Sequence, residues 1–147
     1  MATIQISTHI NASPQALWEE LRHISRHVNW MHDAVSITFT SPATEGVGTK
    51  FSCLTKVGPF KTTDIMTINQ WQENETMGVE HVGLVKGTGT FHIEPHDEGS
   101  TITWKESLTF PWWMLGVFGS LFASPILTLI WKKNLQNLRQ IVEINKS

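Results

Sequence analysis

The sequence contains no tyrosine and one cysteine, Cys53, and only 16% of its residues are charged. A lone cysteine excludes an intramolecular disulfide and a cysteine-based zinc site, which fits a reducing compartment. The first residues, MATIQISTHI, have neither a basic start nor an unbroken apolar stretch, so they do not predict a secretory signal. These absences together predict a cytoplasmic protein.

A concentrated positive charge is also missing. The formal net charge is −2, and the lysines and arginines are scattered except for Lys132 and Lys133. Binding to a phosphate backbone requires a basic patch or stripe, so nucleic acid is not an expected partner. What the chain has instead is seven tryptophans and seven phenylalanines, and large aromatic side chains without phenols favour a dry, apolar interior.

The first third of the chain predicts a strand followed by two helices. Apolar residues alternate with polar ones from Ile4 to Ile10, which is the period of a half-buried strand. Ser13 before Pro14 is a typical helix start, and Leu17, Trp18 and Leu21 follow at helical spacing. A second short helix is predicted over Ile24, Val28 and Trp30.

The middle of the chain predicts six further strands separated by tight turns. Their predicted ranges are Val35–Phe39, Thr49–Lys56, Lys61–Gln72, Met77–Val82, Gly87–Pro95 and Thr101–Phe110. Parallel strands would need long crossovers, so short turns of this kind indicate an antiparallel meander. No linker or repeat divides the chain, and we expect one domain over residues 1–147.

Residues 107–131 contain no charged side chain, and this uncharged stretch is long enough to form a membrane-spanning helix. Pro125, Gly116 and Gly119 interrupt this run and favour a shorter helix followed by a longer one. Beyond it, an apolar stripe continues at helical spacing and must lie on an apolar surface; it consists of Trp131, Leu135, Leu138 and Val142. We therefore expect a helix that covers the sheet, with a membrane anchor as the alternative.

Several local segments resemble the START-like helix-grip (SRPBCC) superfamily, and within it the bacterial polyketide cyclase/dehydrase-like members. They are ISTHINASP at 6–14 with Leu17-Trp18, the stretch from His27 to Trp30, EGVGT at 45–49, STITW at 100–104, and the Pro111–Leu138 segment. The resemblance covers nearly the whole chain. It implies an α+β fold of order β-αα-β6-α, in which a curved antiparallel sheet of about seven strands and a long C-terminal helix enclose an elongated apolar cavity.

The same resemblance implies binding or transport of a hydrophobic molecule such as a lipid, isoprenoid, polyketide or aromatic compound. A minority of such proteins are enzymes, so a cyclase, dehydratase or hydrolase is the alternative. A third interpretation is a membrane-surface protein that makes peripheral contact through Trp112–Phe122, because tryptophan prefers that depth. No cofactor is expected, and the chain is expected to be a monomer or a homodimer.

Glu106 is the first candidate for chemistry. It shares strand parity with Ile102, Trp104 and Leu108, and a carboxylate among apolar neighbours must be paired, protonated or close to a polar ligand group. The sharper interpretation makes Glu106 a ligand anchor or a general acid/base. The alternative is a rim position paired with Lys50 or Lys61.

His81 and Asp64 are the other candidates. His81 falls in phase with Met77 and Val79, and Asp64 falls in phase with Met66 and Ile68. If both met Glu106 inside a cavity, they would form the proton-transfer set that a cyclase or dehydratase needs. Strand parity does not decide whether they meet.

The remaining histidines and glycines predict no site. His23 and His27 lie four residues apart, but no third ligand follows at a characteristic spacing, so we expect solvated helix residues and no metal. Gly83, Gly87 and Gly89 precede a strand, so they are expected to allow sheet curvature and not to bind phosphate.

The predicted ligand-binding set combines apolar residues with the two polar candidates on strands. Its members are Trp30, Phe51, Cys53, Met66, His81, Phe91, Trp104, Glu106 and Phe118. The alternative is a solidly packed core that leaves no cavity.

Overall fold

Seven antiparallel strands form one sheet in the order β1-β7-β6-β5-β4-β3-β2. The computed structural model describes residues 2–57, 60–109 and 124–145. The strands are β1 (Ala2–Ile10), β2 (Ala34–Phe39), β3 (Lys50–Val57), β4 (Phe60–Gln72), β5 (Thr76–Val82), β6 (Lys86–His96) and β7 (Gly99–Thr109). From β2 onward each strand pairs with the next in the chain, and β1 pairs with β7. The predicted α+β meander is confirmed, with strand ends within two residues of those predicted.

Two helical segments follow β1. Helix α1 spans Pro14–Leu21, and the hydroxyl of Ser13 accepts a hydrogen bond from the Ala16 amide at 3.2 Å, so the predicted cap is present. The second segment is a 3₁₀ helix, Ile24–Asn29. It leads through Met31 and Asp33 into β2.

Helix α2 spans Ser124–Asn145 and packs its apolar stripe on the sheet. The predicted stripe residues Trp131, Leu135, Leu138 and Val142 are all buried. Trp131 stacks on Trp104 of β7 with ring centroids 4.8 Å apart, which fixes the helix over the sheet. This is the helix-grip arrangement that the resemblance implies.

The described residues contain no helix that is both long enough and apolar enough to cross a membrane. Phe118 and the Trp112–Phe122 segment lie outside the described residues. The membrane contact predicted for that segment stays a prediction.

Candidate functional site

The inner face of the sheet and α2 enclose a cavity of about 500 Å³. Its wall is mostly apolar, and the apolar members include Ile24, Met31, Ile37, Phe51, Met66, Ile68, Met77, Val79, Phe91, Leu108, Ile126, Leu127 and Trp131. The polar and ionisable members are His27, Asp33, Thr55, Lys61, Thr62, Asp64, His81 and Glu106. The alternative of a solidly packed core is therefore wrong.

Most of the predicted ligand-binding side chains do line this cavity. They are Phe51, Cys53, Met66, His81, Phe91, Trp104 and Glu106. Burial raises the pKa of the Cys53 thiol, so this cysteine behaves as an apolar wall residue and not as a nucleophile.

Trp30 requires a correction. Its side chain is fully buried and does not line the cavity, because it lies behind the wall against other aromatic rings. Its ring centroid is 5.8 Å from that of Phe91 and 6.3 Å from that of Trp104. Trp30 therefore supports two wall residues and does not itself face the cavity.

A buried pair of polar side chains interrupts the apolar wall. The Nε2 atom of His81 on β5 lies 3.0 Å from Oε2 of Glu106 on β7, and both side chains are more than 90% buried. The indole N–H of Trp104 donates to the other carboxyl oxygen, Oε1, at 3.0 Å. The rim interpretation, in which Glu106 pairs with Lys50 or Lys61, is thus wrong.

The glycines of β6 explain how residues from β5 and β7 meet across the strand between them. In the register, Gly87 pairs with His81 and Gly89 pairs with Glu106. A side chain on Gly89 would collide with the Glu106 carboxyl group, and one on Gly87 would collide with the Ser107 carbonyl. The missing side chain at Gly89 therefore makes room for the carboxylate.

Both ring nitrogens of His81 face oxygen atoms. Nδ1 lies 3.4 Å from the Val85 carbonyl, and a carbonyl can only accept a hydrogen bond. Burial lowers the pKa of His81, but the hydrogen bond and the charge of Glu106, with smaller contributions from Val85 and Asp64, outweigh it and raise the pKa overall. The contact with Glu106 therefore favours the protonated form of the His81 ring.

Asp64 on β4 is a third buried ionisable group in the same cavity. Burial raises its pKa, and the opposing influences are the charge of His81, the Thr62 hydroxyl at 3.4 Å and the Leu84 amide. Gly83 again provides the space, since a side chain there would collide with the Asp64 carboxyl group. The structure thus brings all three candidate groups to one cavity, with His81 in direct contact with Glu106.

The expectation that His27 is a solvated helix residue is wrong. Its side chain is buried in the cavity wall, and its Nε2–H donates to the Leu21 carbonyl at 2.8 Å. Burial lowers the pKa of His27 to about 4, which outweighs the opposite effect of this hydrogen bond. The ring is therefore neutral at pH 7.

The described ranges bring together no group of three or more histidine, cysteine or acidic side chains that could hold a metal ion. His81 has both nitrogens engaged by protein oxygens, so the pair itself has no free imidazole nitrogen for a metal.

Comparison with known proteins supplies the family. The sequence profile of the family described as polyketide cyclase / dehydrase and lipid transport matches residues 1–143. The chain belongs to this family. The resemblance noted in the sequence, from the ISTHINASP segment to the C-terminal helix, is thereby confirmed.

Solved structures of other proteins share the fold. TTHA0849 from Thermus thermophilus is 14% identical, with a TM-score of 0.83 and 99% of each chain covered. XoxI from Bacillus cereus is 16% identical, with a TM-score of 0.77 over 100% of this chain and 99% of the other. Among curated proteins, none matches the sequence well enough to count as a relative. Identities this low carry the fold alone, so the ligand must be argued from the cavity.

Sequence reasoning missed three features of this family member's cavity. Asp33 lines it from the loop before β2, and Val85 orients His81 from the turn before β6. Neither residue belongs to a periodic segment, so periodicity could not identify them. The third feature is the space that Gly83 and Gly89 leave for the carboxyl groups of Asp64 and Glu106. The available signal was a glycine opposite each of two acidic residues that share strand parity with apolar residues.

Proposed function

We propose that this protein binds and carries a hydrophobic small molecule in the cavity between the sheet and α2. The observation that carries the proposal is the cavity of about 500 Å³ with a mostly apolar wall. Typical small-molecule sites have this size and combine an apolar lining with a few polar groups that orient the ligand. Burial of a ligand against such a wall yields roughly 25 cal/mol per Å² of apolar surface.

The polar groups would orient the ligand. His81, Glu106 and Asp64 form a buried polar cluster in a mostly apolar wall, so a ligand with one polar end has one preferred direction in the cavity. A fully apolar ligand would leave the buried carboxyl groups without a new partner. The proposed ligand is therefore an amphipathic molecule with a large apolar body.

Native mass spectrometry of the protein purified without detergent tests the proposal. We expect a co-purified small molecule, or uptake of an added apolar molecule in a one-to-one ratio. A protein that is empty and takes up no apolar molecule would contradict the proposal.

A pair of tryptophan substitutions on β4 localises the binding. Met66 faces the cavity, whereas its neighbour Ile65 is 46% exposed on the other face of the sheet. Met66→Trp should fill part of the cavity and weaken uptake at least tenfold, and Ile65→Trp should leave uptake unchanged. Equal effects of the two variants would place binding elsewhere.

A second candidate function is catalysis of the cyclase, dehydratase or hydrolase kind. The observation that favours it is the buried contact of His81 with Glu106 at 3.0 Å beside Asp64, since clustered titratable groups in an apolar cavity are typical of acid/base sites. Glu106→Gln and His81→Ala should then abolish turnover of a polyketide-like or aromatic substrate while sparing its binding. Unchanged turnover in both variants would remove these two groups from the mechanism.

A further inference from the structure

Among the described residues, the polar part of the cavity has few N–H donors left for a ligand. Both nitrogens of His81 are engaged, and the indole N–H of Trp104 donates to Glu106. On the α2 side, the indole N–H of Trp131 donates to Asp33 at 3.1 Å. The N–H of the neutral His27 ring is likewise used by a backbone carbonyl.

The same region has acceptor capacity to spare. A carboxylate offers about four lone-pair positions. Glu106 receives the Trp104 indole on Oε1 and contacts His81 through Oε2, which leaves further positions on both atoms. Asp64 is held only by the Thr62 hydroxyl and the Leu84 amide in the described part of the chain.

The charges in the wall act in the same direction. Three carboxyl groups line the cavity, those of Asp33, Asp64 and Glu106, whereas His81 can offset the charge of its partner Glu106 alone. Lys61 also lines the cavity, but this residue is exposed, and water therefore screens the charge of its ammonium group. A ligand carboxylate would therefore be buried beside carboxyl groups, and among the described wall residues only the exposed Lys61 would offer it an N–H. Burying a charged group without such a partner is strongly unfavourable.

We infer that the cavity selects apolar molecules whose polar end is a hydrogen-bond donor, such as an alcohol, phenol or amine, and that it rejects carboxylates. The donor end lies against Asp64 and Glu106, while His81 keeps Glu106 in place. This inference rests on the proposed binding function and specifies its ligand class.

Three ligands with the same alkyl chain test this selectivity. Isothermal titration calorimetry at pH 7 with decanol, decylamine and decanoate compares a neutral donor, a cationic donor and an anionic acceptor. We expect decanol and decylamine each to bind at least tenfold more tightly than decanoate. If decanoate binds as tightly as decanol, the inference is wrong while the proposed function stands; if none of the three binds, the proposed function fails and the inference falls with it.

Asp64→Asn identifies the group responsible. This variant keeps the side-chain shape, removes a carboxylate and adds an N–H donor, so decanoate should bind at least fivefold more tightly than to the wild type. The matched control is Glu80→Gln, which removes an exposed carboxylate one residue before His81 on the outer face of β5. The preference for decanol should be unchanged in this control, and an equal gain of decanoate binding in both variants would contradict a role for Asp64.

Discussion

Gly89 shows how much of the candidate site depends on one missing side chain. Because any side chain there would collide with the Glu106 carboxyl group, Gly89→Ala should displace the carboxylate from His81. Without the hydrogen bond and charge of Glu106, burial then dominates, and the pKa of His81 should fall below its wild-type value. An NMR titration of the His81 ring protons measures this directly.

The matched control for Gly89→Ala is Thr88→Ala on the same strand. Thr88 is exposed, so this substitution leaves the inner face of the sheet untouched. An unchanged pKa of His81 in Gly89→Ala, or the same decrease in both variants, would show that the glycine does not position Glu106.

His27 makes the stability of the protein depend on pH. The unfolded chain takes up a proton on this ring near pH 6.5, whereas the folded protein does so only near pH 4. The unfolded state thus binds more protons in this window, so the free energy of unfolding should fall by roughly 3 kcal/mol as the pH drops from 6.5 to 4. Urea titrations across this range measure the decrease.

His27→Gln separates this effect from other titrating groups. Glutamine does not titrate, so the variant should lose much less stability than the wild type over the same pH range. Parallel pH profiles for the two proteins would rule out a neutral, buried His27 as the cause.

At the scale of elements, the loop before β2 fastens α2 to the sheet. The Asp33 carboxylate accepts hydrogen bonds from the Trp131 indole at 3.1 Å and from the Asn134 amide at 2.7 Å. The Asn134 carbonyl oxygen in turn accepts from the backbone amide of His32 at 3.1 Å. These contacts hold the helix that covers the cavity.

Asp33→Ala should loosen α2. It leaves the Trp131 and Asn134 donors without their acceptor, and unsatisfied buried donors cost about 2 kcal/mol or more in total. Urea unfolding measures the lost stability, and hydrogen exchange should show the loss of protection concentrated in Ser124–Asn145. Glu80→Ala, which removes an exposed carboxylate, should change neither quantity; if it matches Asp33→Ala, the contacts of Asp33 are not the cause.

Periodicity predicted the elements, because each strand buries one face and α2 buries one stripe. The inward parity of Glu106, His81 and Asp64 followed in the same way. The contact between His81 and Glu106 could not be predicted from periodicity, because it depends on the register of β5, β6 and β7 and on a glycine in β6. His27 was misjudged because its segment is a 3₁₀ helix, in which residues three apart share a face, so it is buried with Ile24.

For the molecule as a whole, the proposed ligand binding is coupled to stability through the cavity. Side chains that line an empty apolar cavity lack packing contacts on the side that faces the cavity, and this lowers the stability of the fold. A ligand that binds only the folded state restores those contacts and stabilises the protein by RT ln(1 + [L]/Kd). The proposed function and the incomplete packing of the sheet against α2 are thus two aspects of the same feature.

The methionine methyl groups offer the most direct test of this account. The three methionines within the described ranges, Met31, Met66 and Met77, all line the cavity. In a protein labelled with ¹³C at the methionine methyls, titration with decanol should shift these three signals together and to saturation, with one shared Kd. If decanol leaves the three signals unchanged, the cavity does not bind hydrophobic ligands and the central claim is wrong.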